Sequence, residues 1–182
     1  MSKKHLSKLD APTNILDDEK ILDEHDFIVS KTDKKGSITY CNRIFVDMAG
    51  YSIDQLLGAN HNLIRHPDMP KIAFKVAWDL VSSGEEFFGF VKNLRKNGGY
   101  YWVFAYITAD YDTVGNIVGY SSFRRRPKRS AIEAIAPVYA QLVEAEKNGG
   151  MEASGKLLGD FLEQNKTSYN ELVFALQNAE GE

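Results

Sequence analysis

The run Phe87-Phe88-Gly89-Phe90-Val91-Lys92-Asn93-Leu94, the turn Lys96-Asn97-Gly98-Gly99 and the run Tyr100 to Ala109 decide the fold. Asn-Gly between two aromatic-rich runs is the strongest short-range hairpin signal, because both residues tolerate the positive φ that tight hairpin turns need. A second turn, Asp112-Thr113-Val114-Gly115-Asn116, leads into a third run, Ile117 to Arg124, and completes a meander. Upstream, Phe27 to Thr32 and Ser37 to Cys41 flank Asp33-Lys34-Lys35-Gly36 and read as another strand pair. Between the strand groups lie short helical signals. Ile44, Phe45 and Met48 are helically spaced and stop at Gly50; Ser52 and Gln55 form a capping box closed by Gly58. Asp68 is expected to cap a longer helix that runs to Gly84, with Pro70 in its first turn. The order β-β-α-α-α-β-β-β predicts an α+β fold, a five-stranded antiparallel sheet with short helices over one face and a pocket between them.

Outside 25–126 the pattern changes. Residues 1–24 read as a tip and a short amphipathic cap helix carrying Ile15, Leu16, Ile21 and Leu22. Residues 127–182 read as a helical extension of three short helices, with capping boxes at Ser130–Glu133 and Ser168–Glu171 and a stop at Asn148-Gly149-Gly150. So few residues in short helices need something to pack on.

Composition narrows the class. With 43% hydrophobic and 26% charged residues, the chain has an ordinary globular profile that excludes disorder and fibrous structure. A net charge of −3 speaks against a nucleic-acid partner, which would need a basic excess. Cys41 is the single cysteine, so no intramolecular disulfide forms and a reducing cytoplasm is expected. No apolar run approaches the ~18 residues of a membrane span, and no apolar stretch follows Met1-Ser2-Lys3-Lys4-His5 as a secretory signal requires. No phosphate loop, Gly-x-Ser-x-Gly or acid–base pair is present, so an enzyme is not expected.

The segment Gly58-Ala59-Asn60-His61-Asn62-Leu63-Ile64-Arg65-His66-Pro67-Asp68-Met69-Pro70 resembles the signature of PAS domains of the Aer energy-taxis type. Tyr40-Cys41-Asn42, Val91-Lys92-Asn93, Lys96-Asn97-Gly98 and Tyr101-Trp102-Val103 add to the likeness, which spans about 25–126. The whole-chain layout is similar to stand-alone cytoplasmic PAS proteins of the CetB kind, which work with a separate membrane-bound chemotaxis transducer. The resemblance implies non-covalent FAD and a redox sensor for energy taxis or aerotaxis. It implies that Arg65, His66 and Asp68 meet the cofactor's phosphates or ribose, and that Asn93 contacts the flavin ring. An amide both donates and accepts, which suits the pyrimidine edge of isoalloxazine. Asn60, His61 and Phe87 complete the expected site, with Phe87, Gly89 and Val91 on the same strand face as Asn93.

Departures from the pattern are informative. His61 stands where photoreceptor (LOV) relatives carry the adduct-forming cysteine, so that light chemistry is excluded at this position. Phe87 stands where Aer relatives often carry tryptophan, and Val103 and Ser121 where photoreceptors have further amides. Haem through His61 or His66 is the alternative cofactor, and a cofactor-free interaction or dimerisation module the alternative function. Phe88, Phe90, Trp102, Phe104 and Tyr106 are expected on the outer sheet face, which terminal helices, a second copy in a homodimer or the transducer must cover. The run Arg124 to Arg129 reads as a solvated strand end, a contact for an acidic partner, or a coupling of the sheet to the helix near Ser130.

Overall fold

The computed structural model describes residues 5–179. Five strands, β1 (Ile28–Asp33), β2 (Ile38–Cys41), β3 (Phe87–Leu94), β4 (Tyr100–Tyr111) and β5 (Ile117–Arg125), form one antiparallel sheet in the order β2-β1-β5-β4-β3. The β3–β4 hairpin pairs Leu94 with Tyr100 around Gly98, whose φ of +93° and closeness to the Asn14 carbonyl leave no room for a side chain. Between β2 and β3 come α1 (Arg43–Ala49), α2 (Ile53–Leu56), a 3-10 turn (His61–Ile64) and α3 (Lys71–Ser82). Asn42 caps α1 by accepting from Phe45 N–H, and Gly50 ends it in the left-handed region. Phe45, Leu56 and Leu63 bury themselves against Ile28, Tyr101 and Val103 on the inner sheet face.

The helical extension covers the outer face. Its long helix α4 (Arg129–Gln164) breaks at Gly149 and Gly150, where the sequence predicts a stop, and α5 (Tyr169–Asn178) follows. The α4 helix starts before Ser130, with Lys128 at its N-cap position and Pro137 inside it. Ile132, Ile135 and Tyr139 bury Phe90, Trp102 and Phe104, and Phe174 of α5 packs edge-on against Phe88. These helices also close the free edge of β3. Asn170 accepts from Phe88 N–H at 3.0 Å and donates to the Glu86 carbonyl at 2.9 Å, and the buried Tyr139 hydroxyl donates to the Phe90 carbonyl at 2.9 Å. An open strand edge invites pairing with another chain, and here side chains take the place of that neighbour.

Two local expectations are corrected. No α-helix occurs within residues 5–24; beyond a 3-10 turn (Lys8–Asp10) the segment is an extended strap. Its backbone bonds go to the hairpin instead: Leu16 N–H to Gly98 O, Lys20 N–H to Tyr100 O and Tyr100 N–H to Asp18 O. Leu22 is buried while Ile15, Leu16 and Ile21 stay exposed, so no helical apolar stripe is used. Residues 1–4 of the expected tip lie outside the described residues. Asp68, in turn, does not cap α3; Pro70, extended at ψ 143°, holds the N-cap position.

Asn170→Ala strands the Phe88 N–H of β3 and the Glu86 carbonyl just before it and should cost about 1–3 kcal/mol, read as a lower urea midpoint at unchanged slope. A change below about 0.5 kcal/mol, the scale of an ordinary surface substitution, would show that the edge does not need the amide.

Candidate functional site

Between α3 and the inner sheet face lies a cavity of about 340 Å³, at the small end of ligand pockets. Its walls divide by chemistry. Phe74, Ala77, Trp78 and Val81 of α3 face Val91, Ala105, Ile107 and Tyr120 of the sheet. Polar groups gather between them: Ser30 from β1, Asn60 and His61 from the 3-10 turn, Arg65, Asn93 from β3 and Arg124 from β5. Trp78 is half exposed and lies 5.0 Å from the Tyr120 ring.

The deepest charge is Arg124. It is 2% exposed, and among the described residues no carboxylate forms an ion pair with it. Its guanidinium donates to Ser30 Oγ at 2.5 Å and to His61 Nε2 at 3.3 Å, and lies 4.6 Å from the Phe45 ring centroid. Nε has no partner. Burial pulls the Arg124 pKa down to about 10, which leaves it charged at neutral pH. A buried charge without an opposite charge beside it costs several kcal/mol. Arginine only donates, so His61 Nε2 must accept; His61 is the neutral tautomer protonated on Nδ1. Burial first, and Arg124 second, hold the His61 pKa at about 3.

Asn93 is 3% exposed and its Nδ2 has no partner. A backbone bridge between Arg65 and Asn93 holds the two side by side. The Arg65 guanidinium donates to the Met69 carbonyl at 3.3 Å and lies 4.3 Å from the Phe74 ring centroid.

The cavity therefore brings together Asn60, His61, Arg65 and Asn93 of the expected residues. His66, Asp68 and Phe87 are not in its lining. His66 is buried, its Nδ1 accepts from Asp68 N–H at 3.1 Å, and its Nε2 has no partner. Burial and then Lys92 lower its pKa to about 4. Asp68 instead pairs with Lys92 at 2.7 Å. Phe87 stacks on Tyr169 of α5, with ring centroids 5.6 Å apart. Ser121 hydrogen-bonds Asp110, while its neighbour Ser122 lines the cavity. Cys41 is absent from the lining, so no thiol replaces the one His61 displaces. The residues that sequence reading missed are Arg124, Ser30 and Trp78. Arg124 was hidden in a basic run that read as solvent-exposed.

A family model described as PAS fold matches residues 38–124. The fold is that of a PAS domain. Its sheet also includes β1, which lies upstream of the matched stretch and pairs with β5. The aerotaxis receptor of Escherichia coli (strain K12) is 44% identical over 115 residues, 63% of this chain and 22% of the receptor. A nitrogen fixation regulatory protein of Klebsiella pneumoniae is 30% identical over 97 residues, 53% of this chain and 20% of its own length. The chain thus spans about a fifth of each of these relatives. A light-oxygen-voltage domain studied with a flavin analogue superposes with a TM-score of 0.54 at 24% identity, covering 61% of this chain and 83% of that one. The light state of the blue-light photoreceptor Aureochrome1 LOV gives 0.52 at 25%, covering 69% and 92%. Among the described residues no helix is long and apolar enough to cross a membrane.

His61 and His66 are both more easily protonated unfolded than folded, so the unfolded state binds more protons at acid pH. Their contribution to stability is complete above about pH 6.5 and is lost progressively as pH falls toward about 4 for His66 and about 3 for His61. The expected outcome is a urea midpoint that drops from pH 7 to pH 4.5, with both imidazoles still neutral by NMR at pH 5. Imidazolium signals from either ring at pH 5 in the folded protein would contradict the geometry.

Proposed function

We propose that this PAS domain holds a flavin, FAD, in the cavity and reports its redox state to a membrane-bound chemotaxis transducer on a separate chain, as a cytoplasmic sensor for energy taxis or aerotaxis. The observation that carries the reading is the pair Arg124 and Asn93, a buried cation without a carboxylate and a buried amide without a partner in one apolar-walled cavity. Both suit an electron-rich heterocycle that presents acceptors and a donor along one edge. A bound flavin supplies reversible electron uptake, which raises the negative charge of its ring system. Arg124 would hold that charge in a low-dielectric site, and Asn93 would orient the ring through its amide. Arg65, beside Asn93, and Lys35, also in the lining, would meet phosphate oxygens toward the mouth. The half-exposed Trp78 offers a surface for the second ring of a dinucleotide. The homology to the aerotaxis receptor supports taxis as the output. Haem gains less from the site, because His61 Nε2 is engaged by Arg124 and α3 contains no histidine. A homodimer through the outer sheet face remains part of the proposal, since Phe123 and Phe174 are still exposed there beside the covering helices.

The test is a fluorescence titration of flavin-free protein with FAD, alongside Arg124→Met and Asn93→Ala. Asn93→Ala should weaken binding by about 10-fold, the worth of a hydrogen bond in a dry site. Arg124→Met should weaken it more, while leaving the melting temperature of the flavin-free protein equal or higher, because a buried unpaired charge is gone. FAD bound equally well by all three proteins, or by none, overturns the reading.

A further inference from the structure

The N-terminus of α3 receives its cap from the far end of the chain. Pro70 at the N-cap position has no side-chain acceptor, yet the Ile72 N–H is satisfied at 2.9 Å by Glu146 Oε1, from the last turn of α4 before its break. On the helical arm beyond the break, the fully buried Ser154 hydroxyl shares its one proton between this oxygen and the Met151 carbonyl, each at 3.1 Å. One carboxylate oxygen therefore joins α3 to both arms of α4. Backbone dihedrals leave the helical region only at Gly149 (φ −142°, ψ 17°) and Gly150 (φ 69°, ψ −168°), so the break has the form of a hinge between those arms. Past it, Gly155 brings its Cα against Ile72, where a Cβ would stand 3.4 Å from Cδ1. The charge of Glu146 also reaches Arg65 and offsets part of the burial that lowers the arginine's pKa; Lys147 acts likewise on Asp68. The end of the first arm thus addresses the segment that runs from Arg65 into α3, and α3 supplies Phe74, Ala77, Trp78 and Val81 to the cavity.

We propose that Glu146 is a latch, a regulatory contact through which the C-terminal helices and the α3 wall of the cavity are held or released together. As a positioning residue it touches no ligand. Its function is to make the first turn of α3 depend on where α4 lies. Whatever steadies α3 from the cavity side must, by reciprocity of coupling, steady the α4 hinge. That link to flavin occupancy rests on the function proposed above; the latch itself does not.

Hydrogen exchange on the full chain tests both levels. Without flavin, Glu146→Ala should speed exchange of amides in 71–74 and in 151–158 by about 5-fold, the effect of losing a helix cap. Glu146→Gln keeps an acceptor oxygen and should restore most of the protection, and amides of β4 and β5 should not change in either variant. Unchanged exchange at 71–74 in Glu146→Ala, or an equal rise across the whole chain, overturns the latch. With FAD added to wild type, protection of 71–82 should be accompanied by protection of 144–155. Protection of α3 alone overturns the latch, whereas a failure of FAD to bind overturns the flavin reading and leaves the first comparison to decide the latch.

Discussion

A guanidinium with no carboxylate to answer it sits inside this protein, and the site is arranged around that fact. Arg124 is held by the Ser30 hydroxyl, the unprotonated nitrogen of His61 and the face of Phe45. Each of those partners belongs to a different element, so the one charge fixes β1, α1 and the 3-10 turn against β5. None of them neutralises it. Solvation by neutral groups is weaker than by water, which leaves a deficit that an electron-rich ligand can fill. Asn93 repeats the theme without charge. The cavity is thus apolar in its walls and unsatisfied at a few chosen points, the usual form of a ligand site.

Outside the cavity, the structure answers a different demand. A five-stranded sheet exposes edges and one apolar face, and β3 carries both problems at once. Its outer aromatics meet Ile132, Ile135 and Phe174, while Asn170 and Tyr139 take its free backbone groups. The C-terminal helices are therefore part of the domain's structure as well as its covering. Because α4 also reaches α3 through Glu146, the same helices touch the cavity wall and the outer face. A change in the cavity has a short physical route to the surface where a partner would read it.

The fold was legible because its signals are local. Asn97-Gly98 forces a hairpin, Asp112 to Asn116 forces the next turn, and Ser52 with Gln55 marks α2 within its own few residues. The helical extension showed its caps at Ser168 and its break at Gly149-Gly150 for the same reason. The site was legible only in part. Asn60, His61, Arg65 and Asn93, which the resemblance groups around a cofactor, line one cavity, but Arg124 did not show itself. Along β5 the inward residues are Tyr120, Ser122 and Arg124, and the outward ones Ser121, Phe123 and Arg125, so alternation marks no apolar face. Strand period put Phe87 on one face with Asn93, yet six residues back along the strand the neighbour is Tyr169 of α5. The cap of α3 was misassigned to Asp68 because its true partner, Glu146, is distant in sequence and no local pattern announces it. The strap failed as a helix because its backbone finds better partners in the hairpin turn, a tertiary preference that overrides local spacing.

The measurement that bears most directly on the central claim is the visible spectrum of the protein as purified from cells, with chromatographic identification of whatever is released on denaturation. The account predicts a flavin band near the blue and FAD as the released species, close to one per chain. A Soret band with released haem, or a colourless protein, would contradict it and leave the buried charge of Arg124 to be explained by another ligand.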